Sequence, residues 1–157
     1  MKIISLPNFN IVQNKLAELA DKNQGWFPKG FNGIHAVSNP ELFAALDIQK
    51  GLFYISSADY LVSGFSPAND LISAMQKIQS GSELTFNNEY AVETLWHEIT
   101  HGITGIAPKR YPINIEPLQE GIVQMIARHS YQLLLIALGT SRLFNKKLLH
   151  LAYPIPM

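Results

Sequence analysis

Residues 97–101 read His-Glu-Ile-Thr-His, and no other stretch of the chain limits its fold so tightly. Two imidazoles four residues apart converge on a helix, where about 400° of rotation sets them on one face a turn apart, in reach of one Zn2+ at ~2.0 to 2.1 Å. Glu98 is rotated about 100° from His97, so it flanks such a metal and stands where a general base takes a proton from water. The neighbouring sequence agrees with a helix. Asn87 is placed to cap it, Glu89 puts a carboxylate in its first turn, residues 90–103 read as its body, and Gly102 and Gly105 end it. With five histidines in the chain, the pattern would arise by chance in roughly one such sequence per hundred.

Composition narrows the chemistry. The chain has no cysteine, which removes disulfides, thiol nucleophiles and thiolate zinc sites and leaves His and carboxylate as strong metal ligands. A catalytic zinc takes three protein ligands and keeps a fourth position open, so a third ligand is expected downstream. Glu120 follows His101 with eighteen residues between, on a helix that Pro117 can start. Glu116 competes for the role, but as a carboxylate at the start of that helix it is explained by the helix dipole.

His97, His101 and Glu120 reproduce a spacing that resembles the gluzincin type of zinc metallopeptidase, and Leu118-Gln119-Glu120-Gly121 resembles the third-ligand motif of that family. The likeness extends to Thr94 and Leu95 before the first histidine and to Gly102-Ile103 after the second, and covers roughly residues 87–128, about a quarter of the chain. It implies one Zn2+ per chain, held by His97, His101 and Glu120, with Glu98 as catalytic base. The chain departs from the pattern at Gln119, where gluzincins usually carry Asn. Thr104 and Ala107 stand where a metzincin needs Gly and His, which excludes that clan. The substrate-anchoring motifs of large aminopeptidases are absent from the sequence, so exopeptidase specificity is not carried over.

Other groups take supporting roles. Gln124 lies one turn after Glu120, placed to hold a ligand histidine, and Glu93, one turn before His97, can do likewise. Tyr111, His150 and Tyr153 are the candidates for stabilising an oxyanion. His129 falls half a turn away from the zinc face, Tyr131 lies roughly 16 Å along the axis from it, and His35 reads as a structural residue of a strand.

Around the motif, Ile11 to Ala20 has helical spacing, and the Gly- and Pro-rich residues 25–33 form a loop. Residues 33–37 and 52–56 read as strands separated by a helical turn after Pro40, and residues 84–86 as a third strand. Pro67 opens a helix that Gly81 closes, residues 107–116 form an irregular connection, and Pro117 starts a helix reaching about Leu138, with Gly139 as its stop. YPIPM at the end cannot be helical.

At 157 residues the chain is expected to be a single domain, residues 1–157, with an α+β zincin-like fold: a small sheet, the helix bearing the two histidines, and a second long helix bringing the third ligand. The formal charge of zero gives no field to draw nucleic acid. Residues 131–138, the most apolar run, are far short of the ~20 that a membrane span needs. Pro7, Asn8 and Asn10 interrupt the amino-terminal apolar run too early for a secretory signal, so a cytoplasmic location is expected. Arg128, Arg142, Lys146 and Lys147 follow Glu120 without an acid among them and read as a solvated basic surface.

The expected function is zinc-dependent hydrolysis of peptide bonds, with a peptide adding to a sheet edge supplied by residues 52–56 or 84–86. The rival expectation is a latent or non-catalytic zincin-like module that binds metal for structure or presents a surface to a partner. The stretch from residue 55 to residue 101 bears a faint likeness to sequences of phage or mobile elements.

Overall fold

The computed structural model describes residues 2–60, 64–105 and 116–140, with the side chains of residues 116 and 117 left aside. In these stretches the chain is an α+β fold. The strands β1 (Lys2–Ile4), β2 (Ile34–Ser38), β3 (Ala44–Asp47) and β4 (Leu52–Ser56) form one mixed sheet, and the helices are α1 (Asn10–Lys22), α2 (Pro67–Ser80), α3 (Phe86–Thr104) and α4 (Glu116–Ala137). A short 3-10 turn, Gln24–Trp26, follows α1.

The sheet order is β1-β2-β4-β3, with β2 and β4 parallel and both outer pairs antiparallel. β3 and β4 form a hairpin whose register pairs Ala44 with Ile55 and Asp47 with Leu52. This corrects two expectations. The segment after Pro40 makes only a turn before entering β3, and residues 52–56 lie inside the sheet, between β2 and β3, so they offer no edge. Residues 84–86 are not a strand either. Leu84 is buried, Thr85 is the N-cap of α3 and Phe86 is its first residue.

Each helix has a local cause. Val12, Leu16 and Leu19 give α1 one buried face at helical spacing. α2 opens on Pro67 and closes on Gly81 at φ 72°, where the Ser82 N–H reaches Lys77 O and the Gly81 N–H reaches Ile78 O. α3 begins one turn before the expected body. Its cap is Thr85 rather than Asn87, because Thr85 Oγ1 accepts from the Asn88 N–H at 3.1 Å while Asn88 Oδ1 accepts from the Thr85 N–H at 2.9 Å. Gly105, at φ 72°, ends α3 with its N–H on His101 O.

α3 is the central element. It packs against α2, α4 and β3, and it is buried on almost every side, with Leu95, Trp96 and Ile99 in a core shared with α1, the sheet, α2 and α4. Trp96 anchors α3 to α4 by donating its indole N–H to Ser130 Oγ at 3.0 Å. A helix so enclosed presents its polar residues to designed partners rather than to bulk water. Among the described residues, no helix is long and apolar enough to cross a membrane.

Candidate metal centre

His97 and His101 project from α3 one turn apart, their ring centroids 4.8 Å from each other. Glu120, in the first turns of α4, meets both. Its Oε2 lies 2.8 Å from His97 Nε2 and 3.3 Å from His101 Nε2. Two ligand atoms held at ~2.0 to 2.1 Å in a tetrahedral shell stand about 3.3 Å apart, so Glu120 Oε2 already sits near that spacing from each imidazole nitrogen. The donor chemistry fits as well, since two imidazole nitrogens and one carboxylate form a set that zinc takes. The donor atoms of His97, Glu98 and His101 also lie within 4.8 Å of one another.

The carboxylates are set apart by their surroundings. Burial raises Glu98, and the imidazoles of His97 and His101 with the Leu46 backbone N–H only partly offset this, leaving its pKa at about 7. Burial pushes Glu120 upward too, but hydrogen bonds and charge from His101 and His97 outweigh it and bring its pKa down to about 2. Near neutrality Glu120 is therefore an anion in ligand form, and Glu98 is poised between acid and base.

A chain of contacts runs behind His97. Its Nδ1 meets Gln124 Oε1 at 2.5 Å, while Gln124 Nε2 donates to Glu93 Oε1 at 3.0 Å. Because the amide nitrogen is committed to Glu93, the oxygen must face the imidazole, and His97 Nδ1 then carries the proton. Nε2 is then the nitrogen that faces Glu120. Glu93 acts on the histidine through Gln124 rather than directly, and it is held in turn by Arg128, whose Nε lies 3.4 Å from Oε1. Both side chains of this pair are almost wholly buried, at 2% and 4% exposure. Burial raises the Glu93 pKa, and the guanidinium works against that rise. Arg128 is thus no part of a solvated basic surface, a correction to its sequence reading. The pattern of cations after Glu120 carried no sign of it, because the pairing joins residues on two different helices.

A cavity of about 420 Å3 opens on the site. Residues 40–44 and Tyr60 line it together with Glu93, Thr94, His97 and Glu98 of α3 and Gln124 of α4. The Tyr60 hydroxyl lies 2.9 Å from Pro40 O and 3.0 Å from Leu42 O, which ties down the wall leading into β3. β3 is the sheet edge beside the site, and the Leu46 N–H reaches across to the Glu98 carboxylate. Neither Tyr60 nor β3 was legible as functional, because their roles come from long-range packing.

The remaining candidates separate cleanly. His129 is exposed, and Tyr131 is buried with its hydroxyl on Glu89, 3.2 Å from Oε1. His35 lies in β2 against the Tyr54 ring, a structural place. Tyr111, His150, Tyr153, Arg142, Lys146, Lys147 and the Glu116 side chain lie outside the described residues. Comparison with protein-family models, with curated proteins and with solved structures gives no match for the chain.

Proposed function

We propose that the chain is a zinc-dependent peptide hydrolase with a zincin-like fold and a gluzincin-like ligand set. The observation that carries this reading is the meeting of His97 Nε2, His101 Nε2 and Glu120 Oε2 beside a buried Glu98, at the mouth of a cleft bordered by a strand edge. His97, His101 and Glu120 would hold the metal, which supplies Lewis acidity, polarising a scissile carbonyl and lowering the pKa of water toward ~7.

The chain's own groups do the rest. Glu98 takes the proton of the attacking water as its oxygen bonds to the carbonyl carbon, and gives it to the departing amine as the C–N bond breaks. A side chain with a pKa of about 7 serves both directions near neutrality. Gln124 fixes the His97 tautomer, and Glu93 with Arg128 fixes Gln124. β3 lends its outer edge to an extended peptide by main-chain hydrogen bonds.

The test is a mixed peptide library digested by zinc-loaded wild type and by Glu98→Gln, read by mass spectrometry with chelation and zinc readdition. Cleavage should fall about 10²- to 10⁴-fold in the variant, with zinc content unchanged. Zinc binding without any cleavage by the wild type would favour a structural module instead.

A further inference from the structure

A second cavity, of about 160 Å3, lies beyond the metal-side cleft along the same seam between β3 and α3. Ala44 borders the first cavity and Leu46 the second; on the helix, Glu98 borders the first and Gly102 the second. Two strand residues advance about 6.6 to 6.8 Å, and four helical residues advance about 6 Å. The two cavities are thus spaced by about two residues of an extended chain lying along β3.

The lining of the second cavity is apolar. Trp26, Phe27, Leu46, Ile48 and Phe53 form its walls, and Lys29, exposed, brings the only charge among the described lining residues. Glycine keeps it open: a Cβ at Gly102 would stand 3.2 Å from Leu46 Cδ2. The walls are held in place by a close approach of two loops, where a Cβ at Gly51 would meet Gly30 O at 2.3 Å. Asn32 clamps the same loops, with its side chain donating to Lys50 O and its N–H to Gly51 O. An apolar cavity of about 150 Å3 takes a benzene ring and stays dry without one.

We propose that this cavity is a specificity pocket that receives one apolar side chain, of leucine to phenylalanine size, from the peptide lying along β3. The inference rests on the peptide-hydrolase reading above and adds the class of substrate. The pocket takes a residue within about two positions of the scissile bond, always on the same side of it, because Leu46 joins the pocket to Glu98.

The experiment uses the zinc-loaded Glu98→Gln protein, so that binding is measured without turnover. Acetylated, amidated alanine pentapeptides carrying one Leu or one Phe, moved through the positions, are titrated by calorimetry against the all-alanine parent. One position should bind at least about tenfold more tightly than the parent, a step expected for an apolar side chain leaving water. That gain should vanish when Gly102→Leu fills the pocket and when Ile48→Asp charges its wall. Circular dichroism identifies a variant that fails to fold, and the other then decides. No gain at any position, or a gain that survives in the folded variants, overturns the pocket. If the gain appears and is lost as stated, yet the wild type cleaves none of these peptides or the mixed library, the pocket stands and the hydrolase reading falls.

Discussion

Glu98 and Glu120 are the same side chain given opposite electrostatics by their places on two helices. Glu98 is enclosed, and its pKa of about 7 lies above the 4.5 of the ordinary group. The folded chain therefore keeps the Glu98 proton after the unfolded chain has released its own, and stability that is full below about pH 4.5 is lost as the pH rises through about 7. Glu120 does the reverse. With its pKa lowered to about 2, it adds stability above pH 4.5 that is lost as the pH falls toward 2. In chelator, Glu98→Gln should match the wild type near pH 4 and exceed it by about 3 kcal/mol at pH 8; urea unfolding across that range measures the gap, and a gap independent of pH would refute the assignment. The ligands are tested separately. His97→Ala/His101→Ala should bind no stoichiometric zinc, and Glu120→Ala should yield zinc to a competing chelator far more readily than Glu116→Ala, which is expected to cost only about 0.3 to 1 kcal/mol of stability. A reversed order would make Glu116 the ligand. These residues could be read from sequence because helical phasing places His97, Glu98 and His101 by local geometry alone, and Pro117 marks the start of the helix that carries Glu120.

At the scale of elements, α3 and α4 are joined by a polar line from Arg128 through Glu93 and Gln124 to His97. Cutting it at the far end should be costly. Arg128→Met leaves the Glu93 carboxylate buried without its cation, which typically destabilises by about 3 to 5 kcal/mol, whereas Glu93→Gln/Arg128→Met removes both charges and should recover most of the loss. Equal losses in the single and double variants would mean that the pair contributes only packing. Gln124→Ala should weaken zinc binding by about 10- to 100-fold with little change in fold, since it frees the His97 ring rather than removing a ligand. The elements themselves were unequally legible. α1, α2 and α4 follow from periodicity, Pro and Gly, and β4 from its aromatic and branched residues. β3 has the sequence Ala-Ala-Leu-Asp, whose residues favour helix or turn; only its pairing with β4 in the hairpin makes it a strand, and its own composition carries no trace of that. β1, three residues long, is a strand only through β2. The N-cap of α3 moved from Asn87 to Thr85 because the reciprocal bond with Asn88 satisfies two backbone donors.

At the scale of the whole molecule, a core holds the fold and the candidate site lies along a seam at its border. Leu16, Ile34, Ile55, Leu71, Trp96, Ile99 and Leu134 are buried in one cluster, while the residues of the candidate metal centre lie at the border of that cluster and the cleft. The cluster draws on every helix and on β2 and β4, so it can form without a metal holding the helices together. This sets the expected behaviour on metal removal apart from that of a small zinc module, which unfolds when its ion is taken away. The chelated chain should keep its helical circular dichroism and a cooperative thermal transition. Zinc, binding the folded state alone, should raise stability by about 2.7 kcal/mol at a free concentration a hundredfold above its dissociation constant, and by about 4.1 kcal/mol at a thousandfold. The increment should disappear in His97→Ala/His101→Ala and persist in Glu98→Gln, because Glu98 flanks the donors instead of completing them. Differential scanning calorimetry over a series of buffered zinc concentrations measures all three proteins. Loss of the cooperative transition in chelator would show that the metal is needed for folding itself, and the site would then belong to a structural module.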